Sequence, residues 1–140
     1  MAVDDATILR MLMAARDARE CAYAPYSNFK VGAAVLGEKS NNIYTGCNVE
    51  NASYGLSMCA ERVAIFKAVA DGVRTIRAVA IIAGDGEIAR PCGACLQVIA
   101  EFSPEDEPTV IAAANTDLEY DVWNLNDYLP MRFHLESREF

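Results

Sequence analysis

Cys59-Ala60-Glu61-Arg62 and Pro91-Cys92-Gly93-Ala94-Cys95 are the two stretches on which the reading of this 140-residue chain turns. Together they supply three thiols and one carboxylate. Cys92 and Cys95, three residues apart at the start of a helix, lie on one face of its first turn. Cys59 and Glu61 are two apart, and a regular helix would point them to opposite sides. They can serve one site only if a metal sits off the helix's N-terminal end. Both stretches therefore place one ion between two helix N-termini, each with about half a positive charge and free N–H groups. That environment lowers thiol pKa values. Zinc held by three protein ligands keeps its fourth position for water, which marks a catalytic rather than a structural site.

Charge arithmetic makes a demand on the surroundings. Zinc with three thiolates is formally a monoanion and a poorer Lewis acid than zinc on three imidazoles, so donors to the sulfurs have to compensate. The helix N–H groups are one source. Arg62 is another if its guanidinium turns toward a sulfur; the alternative is a surface ion pair, and the sequence leaves both open. A redox dithiol at Cys92 and Cys95 would have no use for Cys59 or Glu61. A closed structural zinc site would need Cys21, Cys47 or His134 as fourth ligand, and none of these stands at a paired spacing. Cys21 and Cys47 fall on apolar patterns and read as core thiols, and His134 receives no role.

The rest of the chain alternates helix and strand. Apolar residues recur at helical spacing from Asp5 to Cys21 (Ile8, Met11, Leu12, Ala15), and Pro25 closes that segment. Phe29–Leu36 and Ile43–Val49 read as a strand pair around the polar turn 37–42. Residues 48–58 read as a loop. Cys59–Ala70 is helical and stops at Asp71-Gly72. Ala78–Ile82 and Thr109–Ala114 are apolar strands, and Cys92 or Gly93 to Phe102 is a helix bracketed by Pro91 and Pro104. From Asp121 onward the expectation is a short helical piece near Leu125. The pattern predicts helices packed on both faces of a sheet, within a single domain, 1–140.

Composition narrows the function. The chain is 53% hydrophobic, with no apolar run near the ~18 residues of a membrane span. Its start, Met-Ala-Val-Asp-Asp, lacks a signal peptide's pattern, and an odd count of five cysteines favours a reducing, cytoplasmic setting. The net charge of −8 argues against gripping nucleic acid, whose binding draws on basic side chains, and does not disfavour a small neutral ligand.

Four blocks in order carry a resemblance: Tyr23-Ala24-Pro25-Tyr26-Ser27-Asn28-Phe29-Lys30-Val31-Gly32-Ala33-Ala34, Gly46-Cys47-Asn48-Val49-Glu50-Asn51-Ala52-Ser53-Tyr54-Gly55, and the two stretches quoted first. The chain resembles the small homotetrameric, zinc-dependent cytidine deaminases. The resemblance implies an α/β fold, a three-layer α/β/α arrangement around a mixed five-stranded sheet, with one Zn²⁺ per subunit on Cys59, Cys92 and Cys95. It implies hydrolytic deamination of cytidine or deoxycytidine, zinc hydroxide attacking C4 while Glu61 shuttles the proton. Asn48 and Glu50 would bind the sugar's 3′-hydroxyl, and Phe29 would pack on the pyrimidine. The Ala52 N–H and the Cys92 region would face the base's polar edge, while Tyr54 and Phe133 would reach a neighbouring subunit's site.

Two departures stand out. Leu96 follows the last ligand where relatives often carry Arg or another polar residue, which leaves thiolate compensation more to Arg62. Tyr128-Leu129-Pro130-Met131-Arg132-Phe133 fits the family's Leu-Leu-Pro-x-x-Phe pattern at most positions, and nothing beyond Phe133 matches. The rival expectations are a related deaminase acting on another aminopyrimidine or on blasticidin S, a nucleic-acid editor, and a zinc-stabilised binding scaffold without catalysis.

Overall fold

The computed structural model describes residues 3–39, 41–84 and 86–136. Helix α1 (Asp5–Arg19) starts where the Asp4 carboxylate accepts the Thr7 N–H at 2.8 Å, with Asp5 in its first turn and Arg16 and Arg19 in its last. Both charge placements suit the helix dipole. Then follow β1 (Gly32–Gly37), β2 (Ile43–Cys47), a 3₁₀ turn (Tyr54–Leu56), α2 (Ala60–Ala70), β3 (Ile76–Ile82), α3 (Gly93–Glu101), β4 (Val110–Ala114), β5 (Tyr120–Asn124) and the short α4 (Leu125–Tyr128).

The sheet order is β2-β1-β3-β4-β5. β1 runs antiparallel to both β2 and β3, β3 and β4 are parallel, and β5 returns antiparallel. This is the expected mixed five-stranded sheet. Its strands alternate between two cores. Ala33, Val35, Val79, Ile81 and Ile111 face α2 and α3, whereas Ala34, Leu36, Ala78, Ala80 and Ile82 face α1. Helices on both faces complete the three layers.

Two glycines set how closely those layers approach. A Cβ on Gly32 would lie 1.9 Å from the Ala15 carbonyl oxygen of α1. On Gly46 it would lie 2.6 Å from both the Ala60 oxygen and the Ala64 nitrogen of α2. Backbone atoms cannot swing aside as a side chain can, so the helix itself would have to move. Gly46→Ala is expected to destabilise the fold by at least the ~1–3 kcal/mol typical of overpacking. The check is the denaturation midpoint, and an unchanged midpoint would show that α2 is not seated on β2 in this way.

Three departures of the structure from the sequence reading bear on the site. The residue pattern placed no strand before the helical piece at Leu125, and the fifth strand that the resemblance implies, β5, occupies Tyr120–Asn124. β1 begins at Gly32 rather than Phe29, because the Asn48 side chain engages this stretch: its Oδ1 accepts the Val31 N–H and its Nδ2 donates to the Phe29 carbonyl, both at 2.8 Å. The 48–58 segment is ordered by local pairing, with Val49 bridged to both Tyr23 and Met58.

The topology places the site. β2 and β3 both run antiparallel to β1 and so point the same way, which makes β2-α2-β3 and β3-α3-β4 two successive crossovers. Both helices therefore start beyond the carboxyl ends of like-directed strands, where α/β sheets bind ligands.

Candidate functional site

Cys59 is the N-cap of α2 and Cys92 the N-cap of α3, each with extended backbone (φ −72°, ψ 152° and φ −76°, ψ 167°). Neither side chain is spent on capping its own helix. The extended backbone at Cys59 resolves the spacing difficulty, because that residue precedes the helical turn that carries Glu61. Cys95 sits one turn into α3 and is buried.

The sulfurs converge. Cys59 Sγ lies 4.0 Å from Cys92 Sγ, Cys92 Sγ lies 3.5 Å from Cys95 Sγ, and all three lie within 4.8 Å of one another. A tetrahedral ion with Zn–S bonds of about 2.3 Å requires sulfurs about 3.8 Å apart. The three cysteines are thus positioned to bind a metal ion, and their soft donors suit zinc. Among the described residues no fourth His, Cys, Asp or Glu joins the group. Cys21 is exposed and Cys47 half-buried, so neither is the core thiol that the apolar pattern suggested, and His134 is exposed; all three lie outside the group.

Electrostatics around the sulfurs follow from their contacts. The Cys59 thiol is pulled down to about 5, first by its hydrogen bond with Cys95 and then by the Arg62 guanidinium. The same Cys59 contact, with burial, pushes Cys95 up. Arg62 Nη2 donates to Cys59 Sγ at 3.4 Å, so the guanidinium faces a sulfur and not a surface carboxylate. Leu96 is buried in the core on the α2–α3 side of the sheet. Glu61 is only 5% exposed, and burial raises its carboxyl above the ordinary range, with the Cys59 charge adding to the effect.

Beside the thiols lies a cleft of about 320 Å³. Phe29, Asn48, Glu50, Cys59, Glu61 and Cys92 line it, together with Ser27, Val31, Met58, Ile81, Ala89 and Arg90. Glu50 reaches the cleft while fastening the preceding turn: Oε1 accepts the N–H groups of Tyr26 (2.9 Å) and Ser27 (3.1 Å), and Oε2 accepts the Ser27 hydroxyl. The Ser27 contact holds the Glu50 carboxyl below its usual value. Asn48 and Glu50 thus build the wall on which Phe29, 47% exposed, is displayed.

Ala52, Tyr54 and Phe133 lie outside the cleft of their own chain. Ala52 is in an exposed turn closed by Asn51 and Ser57, and Tyr54 and Phe133 are 78% and 65% exposed. Ser27, Met58, Ile81, Ala89 and Arg90 were not read as site residues. Ile81 looks like any core position of an apolar strand. Ser27 and Arg90 gave a weak signal by flanking Phe29 and Pro91. A larger surface cavity, about 420 Å³ at Tyr44, Asp71 and Arg74, lies at another part of the molecule and shares no residue with this cleft.

Comparison with known proteins gives the same assignment. Residues 6–112 match the family described as the cytidine and deoxycytidylate deaminase zinc-binding region. The chain is 48% identical over 110 residues to a cytidine deaminase of Sporosarcina psychrophila, covering 79% of this chain and 80% of that one. It is 44% identical over 127 residues to a cytidine deaminase of Halalkalibacterium halodurans, covering 91% and 94%. The crystal structure of cytidine deaminase from Burkholderia pseudomallei superposes with a TM-score of 0.81 at 43% identity, covering 89% of this chain and 98% of that one. That of Mycobacterium tuberculosis gives 0.76 at 37% identity, covering 96% and 100%. With its three thiols gathered at two helix ends on a sheet of that design, the chain belongs to the cytidine and deoxycytidylate deaminase zinc-binding family.

Proposed function

We propose that this protein is a zinc-dependent cytidine deaminase that hydrolyses cytidine, deoxycytidine or both to the uracil nucleoside and ammonia. The observation that carries the reading is the convergence of three thiols beside one buried glutamate at the end of a nucleoside-sized cleft. When bound, zinc supplies a Lewis acid whose open fourth position lowers the pKa of water.

The chain's own residues do the rest. Glu61 takes a proton from the attacking water and delivers it to N3 of the base, then takes the proton of the hydroxyl now on C4 and passes it to the amine, which leaves as ammonia as the C4 carbonyl forms. One carboxyl group serves as base and then as acid, and burial raises its affinity for the proton it has to take up. Phe29 packs on the pyrimidine. Asn48 and Glu50 direct their remaining hydrogen-bonding capacity at the sugar's 3′-hydroxyl. The Cys92 region faces the polar edge of the base, whereas the exposed Ala52 N–H can do so only in the cleft of a neighbouring subunit. Arg62 offsets thiolate charge through Cys59. Arg62→Ala is expected to weaken zinc binding by the ~10–100-fold usual for partners of metal ligands. Competition with a chromophoric chelator measures it, and unchanged affinity would remove Arg62 from this role.

We read 1–140 as one catalytic domain working in the cytoplasm, where a reducing medium keeps the five cysteines free. No helix among the described residues is long and apolar enough to cross a membrane. The acidic net charge suits a small nucleoside better than a polynucleotide. The exposure of Tyr54, Leu56, Met131 and Phe133 supports a homotetramer in which Tyr54 and Phe133 complete a neighbour's cleft. Light scattering is expected to give the mass of four 15.2 kDa chains, and a monomer would contradict it.

The functional test is a substrate panel of cytidine, deoxycytidine, cytidine 5′-monophosphate and blasticidin S, with ammonia release as the readout. The plain nucleosides are expected to react fastest. Turnover of blasticidin S alone would transfer the reading to that antibiotic, and zinc bound without any turnover would favour a binding scaffold.

A further inference from the structure

Arg90 stands between the cleft and the edge of the sheet. Among the described residues that line the cleft it is the one cation. Its guanidinium carbon lies 4.2 Å from the centroid of the Trp123 ring on β5, and Nη2 lies 3.7 Å from Asp121 Oδ2. Trp123 is buttressed in turn by the Tyr128 ring of α4, edge-on at 6.2 Å and 72°. Arg90, Trp123 and Tyr128 thus form a continuous chain of contacts.

The two contacts are unequal. Arg90 and Asp121 side chains are 49% and 46% exposed, and an ion pair that open contributes little against solvent and salt. The stacked guanidinium has a fixed geometry on a half-buried ring, so it is the contact that orients. What it orients is consequential. Residues 86–91 belong to no helix or strand, carry Ala89 into the cleft wall, and lead directly to Cys92.

We propose that Arg90 is a positioning residue for the substrate cleft: stacked on Trp123, it ties the 86–91 segment to β5 and sets the wall against which the nucleoside rests. The inference builds on the reading of that cleft as the nucleoside site. It assigns β5, an edge strand of the sheet, a part in substrate binding.

The test compares Arg90→Ala, Arg90→Lys and Trp123→Leu with the wild type, all zinc-loaded. Steady-state kinetics on cytidine are combined with hydrogen–deuterium exchange over residues 86–91. For Arg90→Ala the expected result is faster exchange in that segment and a KM raised on the order of five-fold, the size of a partly exposed cation–π contact. Its kcat should stay within about two-fold, and zinc should remain at one per chain. Trp123→Leu should reproduce this pattern, and Arg90→Lys should recover much of the wild-type KM. Unchanged exchange overturns the clamp. Faster exchange with an unchanged KM overturns its role in the cleft. A fall in kcat accompanied by zinc loss would assign Arg90 to holding Cys92 instead. If the wild type turned over no cytidine, the functional reading would fall, and exchange alone would then decide the clamp.

Discussion

Glu61→Gln protein is expected to bind zinc as tightly as the wild type while losing at least the ~10²–10⁴-fold in turnover that general acid–base catalysis supplies. The two halves of this expectation have separate grounds. Zinc is retained because Glu61 is not among the three converging ligands, which sit at the caps and first turn of α2 and α3. The substitution also keeps the size of a side chain that is 5% exposed, so it opens no cavity. Turnover falls because the amide cannot carry a proton, and the described residues that line the cleft include no second buried carboxylic acid to replace it; Glu50, the other acid among them, is half-buried and held by Ser27. Zinc content and single-turnover rates measured on one preparation decide the matter. Near wild-type turnover would remove Glu61 from the chemistry. Loss of zinc would show that the carboxylate supports the metal instead.

Cys92→Ala is expected to fold normally and to lose both the metal and the activity. Of the three thiols it is the most informative to remove. Cys95 is fully buried, so its removal would leave a void and confuse metal loss with misfolding. Cys92 is exposed, and its side chain does not cap α3, so the helix gives up little. Zinc would keep two protein ligands where a catalytic site needs three. Its affinity should drop by more than the ~10–100-fold seen when an outer partner is lost. A protein with a wild-type melting curve, no bound zinc and no turnover is the expected outcome. Stoichiometric zinc in this variant would mean that the metal sits elsewhere.

The metal group was legible in the sequence because two thiols at paired spacing and a third next to a glutamate have few other uses together, and because α2 and α3 announce their starts. The pinched position between helix ends followed from the two-residue offset of Cys59 and Glu61, and the extended N-cap at Cys59 is how the chain achieves it. β5 was not legible. Tyr120-Asp121-Val122-Trp123-Asn124 is a short edge strand of half-covered residues with no side fully buried, so it shows no two-residue alternation. The local tasks of Asn48 and Glu50 were hidden for a different reason. Their partners are backbone groups 17 to 24 residues away, and periodicity does not report contacts of that kind. Arg90 gave no more than the weak signal of flanking Pro91, because its partner lies on the strand that was itself missed.

The most direct measurement follows the ultraviolet absorbance of cytidine on mixing with zinc-loaded protein, with chelated protein, and with chelated protein after zinc is restored. The account predicts that the cytidine band is lost with the first, persists with the second and is lost again with the third. Persistence of the band with fully zinc-loaded protein would contradict the assignment of this cleft to cytidine.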